Sequence, residues 1–369
     1  MTRPVVHFTD ASLFGGAEQM ILTLITGLDR RRWHPILLHH GEPTLAELID
    51  GSRRLDMETV RIPRRGARRA IKGFLRRARP AVFHAHLNWP LACSAGLVAA
   101  ALARIPAVIA TQQLLIPIQS RRRVLRHKLL SLGVDRYIAV SHHMAGMLRK
   151  VCLFGDRKVR VVHNGVSPAP FEQAIRAELR GELRGVDGRP IVLTLARLVP
   201  QKGIGYLIEA AARVPDALFA IAGDGPERSV LEEKAEACGV SDRVVFLGHR
   251  GDAPALLASC DLFVLPSLYE GLPVSVLEAM ASGRPVIATG VGGTNEAVQA
   301  ECTGLVVPPA DPEALARAIR RLLGDRALAQ RLGAEAQRRV RREFSNDVMA
   351  AGVEGVYREA LGETGAVAC

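Results

Sequence analysis

The chain has 369 residues, of which 48% are hydrophobic and 23% charged, and its formal net charge is +12. This composition is typical of a folded protein and excludes extensive disorder, while the length predicts two or three domains. The longest apolar stretch, 91–103, has about 13 residues, whereas a helix that spans a bilayer needs roughly 20. We therefore expect no transmembrane helix, and the polar start of the chain indicates no secretory signal.

Short apolar runs alternate with helical patterns along the first half of the chain. Uninterrupted apolar runs between helices indicate parallel strands that are covered on both faces. The first run leads into a loop with Gly15 and Gly16, where the absence of a side chain lets the backbone approach a ligand closely. The predicted strands are Val5–Thr9, Ile36–His40, Ala81–His86, Ala107–Thr111 and Tyr137–Val140.

Basic residues are concentrated in this half. Residues 1–185 carry 30 Lys and Arg against 13 Asp and Glu, whereas residues 186–369 carry 19 against 24. Between Glu58 and Asp135 there are 15 basic residues and no acidic one. Such a field attracts nucleic acid, anionic lipid or phosphorylated substrates; a solvated, Arg-rich surface is the alternative.

Two segments of this region combine basic and apolar residues. Segment 62–79 places Arg pairs around Ile71, Phe74 and Leu75, and segment 121–128 adds a second basic cluster. A basic amphipathic helix can lie on an anionic membrane surface, where each Lys or Arg contributes about 1 kcal/mol to the free energy of membrane binding. We therefore expect peripheral membrane binding through the first domain. The alternative is a set of basic helices that solvate the domain or attract a phosphorylated ligand.

The alternation of strands and helices restarts after residue 185. Residues 167–188 are rich in Gly, Pro and charged residues, which is typical of a linker. The sequence thus predicts two doubly wound α/β domains, at 1–166 and 189–344, with ligands at the carboxyl ends of their strands. The predicted strands of the second domain are Ile191–Leu195, Leu218–Ala222, Val244–Leu247, Leu262–Leu265, Pro285–Thr289 and Leu305–Val307.

Two glutamates flank a helix start in the second domain. Glu270 follows a buried strand, and Glu278 lies eight residues further on, in the helix that begins near Pro273. A carboxylate in this loop can accept hydrogen bonds from sugar hydroxyls, and the backbone N–H groups of Gly271 and Leu272 can bind an anion or a hydroxyl. The alternative is that Glu270 caps the helix and Glu278 is a surface charge.

A pair of cations precedes another helix of the second domain. Arg197 and Lys202 follow the strand Ile191–Leu195 and stand immediately before a helix N-terminus. The forked guanidinium, the compact ammonium and the helix N-terminus together suit a diphosphate without a metal ion. Two ordinary loop cations are the alternative.

The cysteines and histidines predict no metal site. The six cysteines include no CxxC pair, which argues against a zinc cluster or a disulfide framework. We expect His84 and His86, which flank one alanine in a strand, to point to opposite faces and therefore not to share a metal ion. The turn at 223–225 lacks the third glycine of a dinucleotide fingerprint, so NAD is not expected either.

Together these motifs resemble the retaining glycosyltransferases of family 4, also called group 1, which have the GT-B fold. The spacing of Glu270 and Glu278, joined to Arg197 and Lys202, is highly specific in combination. The resemblance covers nearly the whole chain, and its segments are GGAE, HAH, YIAVS, VHNGV, ARLVPQKG, IAGDGPE, FLGHR and PSLYEG followed by LEAMASGRPVIAT.

The resemblance implies two Rossmann-like domains that face each other across a cleft. The first would bind the acceptor and the second the nucleotide-sugar, and segment 345–369 would cross back to pack on the first domain. Arg197 and Lys202 would neutralise the diphosphate of the donor. Glu270 would hold sugar hydroxyls, aided by the backbone at 271–272. Such enzymes need no metal or other cofactor and leave the anomeric configuration unchanged.

The remaining site residues are also assigned through the resemblance. Glu278 would bind the ribose, and Gly16 would bring the first domain against the donor phosphates. His86 and Gln113 are candidate contacts of the sugar or the acceptor. Many family members carry a histidine where Gln113 stands, and a glutamine can form hydrogen bonds but cannot act as an acid or base. This departure leaves a catalytically degenerate domain as an open alternative.

The leading hypothesis is an enzyme that transfers a hexose from a UDP- or GDP-sugar to a lipid-linked or saccharide acceptor. It would act in cell-surface polysaccharide or glycolipid synthesis, on the cytoplasmic face of the membrane. A sugar-nucleotide epimerase shares the architecture but lacks Lys202 and the glutamate pair. A polyanion-binding protein on a degenerate scaffold is the other alternative, although no nucleic-acid-binding signature is present and 4% aromatic residues offer few stacking platforms.

Overall fold

The protein consists of two compact domains. Residues 1–165 together with 346–369 form the first domain, and residues 166–345 form the second. The predicted linker, 167–188, lies largely outside the described residues. The computed structural model describes residues 2–114, 120–153, 155–172 and 188–363.

The first domain is built on seven parallel strands. They are β1 (Arg3–Phe8), β2 (Trp33–His39), β3 (Glu58–Arg61), β4 (Val82–Leu87), β5 (Ala107–Gln112), β6 (Arg136–Ala139) and β7 (Val159–Val161). Neighbours pair in the order β3-β2-β1-β4-β5-β6-β7. The strand order reverses between β1 and β4, and doubly wound sheets bind ligands outside the carboxyl ends of their strands at such a point.

Helices connect these strands and supply the apolar cover of the sheet. One face carries a core in which Val6, Phe8 and Phe83 meet Ile71 and Leu97 from two of the helices. The helices are α1 (Gly16–Gly27), α2 (Ala46–Arg54), α3 (Ala67–Ala78), α4 (Ser94–Ala103), α5 (Arg121–Leu132), α6 (His142–Val151) and α7 (Gly155–Lys158).

The second domain repeats this plan with six parallel strands in the order β10-β9-β8-β11-β12-β13. The strands are β8 (Ile191–Leu195), β9 (Leu218–Ala222), β10 (Val244–Gly248), β11 (Leu262–Leu265), β12 (Val286–Thr289) and β13 (Leu305–Val307). The helices are α8 (Ala169–Glu172), α9 (Ile204–Ala211), α10 (Arg228–Ala237), α11 (Ala253–Ser259), α12 (Val274–Ala281), α13 (Thr294–Ala297), α14 (Pro312–Gly324) and α15 (Arg326–Glu343). Two doubly wound parallel sheets were predicted, and the structure confirms them.

The last helix, α16 (Asn346–Ala360), belongs to the first domain. Its Tyr357 is fully buried, and the tyrosine ring stands edge-on to Trp33 with ring centroids 5.3 Å apart. Where α16 meets α1 the backbones nearly touch, because a Cβ on Gly27 would lie 2.8 Å from the Asn346 carbonyl oxygen. The first domain is therefore completed by residues that follow the second domain in the chain.

Two strands of the first domain were not predicted. β3 and β7 are the two edges of the seven-stranded sheet, so each has one strand neighbour instead of two. Their residues are partly or fully exposed at most positions, and neither strand contains an uninterrupted apolar run. An edge strand that is short and half-solvated lacks the pattern by which buried parallel strands are identified.

The apolar side of α3 faces inward. Ile71 and Leu75 are fully buried in the domain core, so the expectation that this side lies on a membrane is wrong. A surface helix packs its apolar stripe against its own domain. On α5, in contrast, Leu125, Leu129 and Leu132 are 59%, 57% and 55% exposed. Among the helices of the described ranges, none is long and apolar enough to cross a bilayer.

Candidate functional site

A nearly buried ion pair lies at the carboxyl ends of two neighbouring strands of the second domain. β8 pairs with β11, and the loops that follow these strands carry Lys202 and Glu270 respectively. Lys202 Nζ lies 2.5 Å from Glu270 Oε1, and Ser267 Oγ donates to the same oxygen over 2.7 Å. The side chains of Lys202 and Glu270 are 15% and 6% exposed. Two donor groups thus converge on one carboxylate oxygen.

This convergence leaves the other carboxylate oxygen for a ligand. Within the described part of the chain, neither the ammonium of Lys202 nor the hydroxyl of Ser267 donates to Glu270 Oε2. Burial makes a charged pair costly unless hydrogen bonds satisfy its remaining lone pairs. A hydroxyl group of a bound molecule would supply such a bond.

Close backbone approaches hold the two loops in place. Gly203 has a φ of +62°, and a Cβ there would lie 2.2 Å from the carbonyl oxygen of Pro266. Gly292, in the loop after β12, has a φ of +53°, and its Cβ would lie 1.9 Å from the carbonyl oxygen of Glu270. Any other residue would push these loops apart. The glycines therefore fix the backbone on both sides of the ion pair.

Arg197 stands beside this pair in the chain, but its side chain is exposed. Its loop is tied to the turn after β9, since Ala196 N donates to Ala222 O at 3.0 Å and Leu198 N to Asp224 O at 2.9 Å. In the described ranges its guanidinium forms no hydrogen bond or ion pair. The site thus combines one paired cation, Lys202, with one that is open to an incoming anion.

Glu278 lies on α12, and the surrounding protein raises its pKa to about 7 because burial disfavours the charged form. No described residue forms a hydrogen bond or ion pair with its carboxylate. The prediction that this residue is more than a solvated surface charge agrees with that environment. Hydroxyl donors from a ligand would stabilise the ionised form of such a group.

Gly271 and Leu272 connect Glu270 to this helix. α12 begins at Val274, so these two residues precede its first turn and are not part of it. Both are buried, and the Gly271 carbonyl accepts a hydrogen bond of 2.9 Å from Gly293 N. Their predicted use of backbone N–H groups for a ligand remains a prediction.

The first domain places Gln113 at the carboxyl end of β5. The Gln113 backbone N–H donates to Leu87 O over 2.9 Å, and its side-chain oxygen accepts a bond of 3.0 Å from Asn164 Nδ2. His86 lies at the end of the neighbouring strand β4, and these three side chains border a cavity of about 20 Å³. Such a volume holds roughly one water molecule. Gly16 opens α1 at the carboxyl end of β1 and is exposed.

The expected orientation of the strand histidines is wrong. His84 and His86 lie on the same face of β4, with ring centroids 4.2 Å apart, because residues two apart in a strand share a face. His7 from β1 joins them, and nitrogen atoms of all three lie within 4.8 Å of one another. The cluster draws on two strands that are far apart in the chain but adjacent in the sheet, so the spacing of histidines along one strand does not reveal it.

Two polar residues of these sites were also missed. Ser267 supports Glu270, and Asn164 supports Gln113. Ser267 precedes Glu270 by three residues in the same loop, so its position offered a local signal. Asn164 lies 51 residues from its partner, and only the order of strands brings the two together.

Comparisons with known proteins place both domains in glycosyltransferase families. A family model described as glycosyl transferases group 1 matches residues 175–339, and one described as glycosyltransferase family 4 matches residues 14–169. An alpha-D-kanosaminyltransferase of Streptomyces kanamyceticus is 40% identical over 58% of this chain and 57% of its own length. A UDP-Gal:alpha-D-GlcNAc-diphosphoundecaprenol alpha-1,3-galactosyltransferase of Escherichia coli is 31% identical over 63% of this chain and 64% of its own length. The matched part thus spans less than two thirds of these relatives.

Solved structures match the fold along almost the whole chain. HepE of Anabaena, solved with UDP and glucose, has a TM-score of 0.87 at 21% identity and covers 97% of this chain and 100% of that one. Sucrose-phosphate synthase of Thermosynechococcus elongatus has a TM-score of 0.81 at 25% identity, and the match covers 98% of this chain and 100% of that one.

Proposed function

Because this chain belongs to the group 1 glycosyltransferases and has their GT-B fold, we propose that it transfers a hexose from a nucleotide-sugar to an acceptor. The donor is a UDP- or GDP-sugar, and the configuration at the anomeric carbon is retained. The observation that carries the proposal is the convergence of Lys202 and Ser267 on Glu270, with the exposed Arg197 in the same loop as Lys202.

The two cations stabilise the leaving group. As the glycosidic bond to the nucleotide breaks, negative charge develops on the diphosphate. Arg197 offers a forked donor and Lys202 a point charge that is already held in position by Glu270. Preorganised charges need no rearrangement during the reaction, so the step proceeds without a metal ion.

The carboxylates bind the two ends of the donor. Glu270 accepts hydrogen bonds from sugar hydroxyls through the oxygen that Lys202 leaves open, while the backbone at 271–272 contacts the same sugar. Glu278 accepts hydrogen bonds from the ribose, which supplies the partners that its carboxylate lacks among the described residues. Positive charge on the sugar ring in an oxocarbenium-like transition state is stabilised by the diphosphate and by the Glu270 carboxylate.

The first domain binds the acceptor. His86 and Gln113 lie at the carboxyl ends of β4 and β5 and present hydrogen-bonding groups, and Gly16 is assigned to the donor phosphates. Lipid-linked acceptors are supported by the names of relatives. The E. coli galactosyltransferase is described with a diphosphoundecaprenol-linked sugar. A Mycobacterium tuberculosis relative, 39% identical over 49% of this chain, is described as a GDP-mannose-dependent phosphatidylinositol monomannoside mannosyltransferase.

The membrane surface is contacted through α5. Leu125, Leu129 and Leu132 follow an i, i+4, i+7 spacing and point outward together. The helix starts with three exposed arginines, 121–123, and carries no acidic residue. An exposed apolar row flanked by cations fits an anionic bilayer surface. The enzyme therefore works on the cytoplasmic face of the cell membrane in polysaccharide or glycolipid synthesis.

A ligand panel tests the donor assignment. Thermal melting is recorded with UDP, GDP, ADP and their hexose conjugates, in the wild type and in Arg197→Ala. A ligand at about 100 times its dissociation constant stabilises the folded protein by roughly 2.7 kcal/mol. Stabilisation by UDP or GDP that is weakened in Arg197→Ala supports the proposal. If no nucleotide shifts the melting temperature, the donor assignment is wrong.

Product analysis separates the two alternatives. An epimerase converts the nucleotide-sugar without an acceptor, whereas a transferase releases nucleotide only when an acceptor is added. Filter binding with duplex and single-stranded nucleic acid over a salt series tests the polyanion-binding alternative.

A further inference from the structure

A cluster of three histidines lies inside the first domain, and one of them, His86, is also the proposed contact of the acceptor. His7 on β1 is the register partner of His84 on β4, and His86 follows two residues later on the same face. All three side chains are buried, with exposures of 0%, 0% and 3%. We refer to these three residues as the histidine triad.

The spacing of the triad matches that of ligands around one small metal ion. His7 Nδ1 and His86 Nε2 lie 3.1 Å apart, and the ring centroids are separated by 5.4, 5.3 and 4.2 Å. An ion that binds imidazole nitrogens at about 2.0–2.1 Å with tetrahedral geometry places two of them roughly 3.3 Å apart. Nitrogens of all three rings lie within 4.8 Å of one another, so rotation of the rings toward a common point would bring three nitrogens onto one ion.

The hydrogen bonds of the triad are incomplete without a further partner. His7 Nε2 and His86 Nδ1 are buried, and neither has a hydrogen-bond partner among the described residues. A neutral imidazole carries one donor and one acceptor, so the single bond between these two rings leaves one group of each unsatisfied. Buried polar atoms without a partner are rare, so the contact between His7 and His86 does not by itself satisfy either ring.

His84 already has the supporting contacts of a ligand. Its Nδ1 lies 2.6 Å from Tyr357 Oη, and its Nε2 lies 2.7 Å from Thr111 Oγ1. If one nitrogen turns to a metal ion, the other keeps a partner that fixes the ring, as is usual for metal-binding histidines.

We propose that His7, His84 and His86 bind a divalent transition-metal ion of the zinc class. Three imidazoles without a carboxylate favour zinc, cobalt or copper over magnesium or calcium. The fourth ligand is a hydroxide in the cavity beside His86, and its negative charge offsets part of the buried ion's charge. The ion ties β1 to β4 and stabilises the first domain. This site does not depend on the proposed transfer reaction.

Metal retention and spectroscopy test the site without an activity assay. Metal-free protein is equilibrated with Zn²⁺ or Co²⁺ at pH 7.5, passed through a desalting column and analysed for bound metal. We expect one retained equivalent, the visible absorption of four-coordinate Co²⁺, and a higher melting temperature with Zn²⁺. His7→Gln and His86→Gln should lose the retained ion. His34→Gln and His143→Gln, which alter exposed histidines, should keep it.

The proposal is overturned if the wild type retains no metal, or if the triad variants retain as much as the surface variants. Should the triad variants fail to fold, X-ray absorption of the zinc-loaded wild type decides. Three imidazole ligands support the site, and fewer than three contradict it.

Discussion

Lys202 and Glu270 form an ion pair with their charged atoms 2.5 Å apart, although 68 residues separate them in the chain. Because Glu270 is 6% exposed, its carboxylate depends on this ammonium for compensation. The pair therefore links the stability of the second domain to the position of the cation that we propose for catalysis. A change at either residue should affect both properties.

Lys202→Ala should lower turnover by about 10²–10³-fold, the range for loss of one preorganised charge-stabilising group. It should also lower the melting temperature, because it leaves the buried Glu270 carboxylate unpaired. Lys202→Met with Glu270→Gln should recover most of the melting temperature and none of the turnover. Steady-state kinetics and calorimetry measure the two effects, and near wild-type turnover in folded Lys202→Ala would contradict the assigned role.

Donor binding should depend on pH through Glu278. Its pKa of about 7 in the free protein should fall when ribose hydroxyls donate to the carboxylate. Nucleotide affinity should therefore rise as pH increases towards about 7 and level off above it, and a proton should be released on binding below that pH. Calorimetry in buffers of different ionisation enthalpy detects the proton, and Glu278→Gln should abolish its release.

The raised pKa of Glu278 also affects the stability of the folded protein, which should fall with rising pH whereas donor affinity rises. The pKa of Glu278 is raised in the folded protein from about 4.5 to about 7, so its contribution is most favourable below pH 4.5 and is lost as pH rises through 7. Glu278→Gln should therefore melt at a higher temperature than the wild type at pH 8 and show little gain at pH 5. Equal differences at the two pH values would show that this carboxyl is not the titrating group.

Gln113 should contribute no ionisation to the pH profile of kcat, because an amide neither gains nor loses a proton near neutral pH. Gln113→His should introduce a limb near pH 6.5 into the pH profile of kcat, while Gln113→Leu should lower turnover without changing the profile. Identical profiles in the two variants would indicate that position 113 lies away from the reacting groups.

Chelation should not inhibit transfer. The proposed stabilisation of the diphosphate comes from Arg197 and Lys202, so turnover at 25 °C with EDTA should equal that without it. Any effect of the chelator should appear instead in the melting temperature of the first domain, where the histidine triad lies. Loss of turnover that Mg²⁺ or Mn²⁺ restores would contradict the metal-free mechanism.

Vesicle flotation tests the outward leucines of α5. The wild type should bind anionic vesicles at low salt, dissociate from them at high salt and show no binding to neutral vesicles. Leu125→Gln, Leu129→Gln and Leu132→Gln combined should abolish binding. Val230→Gln and Val348→Gln, which remove apolar side chains that are 54% and 44% exposed elsewhere on the surface, are the matched controls.

Charge reversal at 121–123 separates the electrostatic attraction to an anionic membrane from the insertion of the leucine side chains. Three Arg→Glu changes at 121–123 remove about 1 kcal/mol per cation, which should weaken binding by about 100-fold or more. If the wild type fails to bind anionic vesicles at low salt, α5 does not contact the membrane.

Much of the fold was predictable because buried parallel strands leave apolar runs between helical patterns. The residues of the second-domain site were predictable for a related reason, since Arg197 and Glu270 each follow such a run. What the pattern does not contain is pairing between distant segments. The contact of His84 with Tyr357 joins residues 273 positions apart, and nothing near either one indicates it. The inward orientation of the apolar side of α3 was not predicted, because the many arginines of this helix suggested a surface that binds anions.

The return of α16 to the first domain makes that domain discontinuous in the chain. During synthesis from the N-terminus, residues 166–345 emerge before Asn346–Ala360, so the second domain has its full set of residues first. Until Tyr357 leaves the ribosome, the face of the first sheet that carries His84 stays uncovered. The domain that begins translation is thus the last to mature, and a chain that stops before residue 346 holds one finished domain and one without its cover.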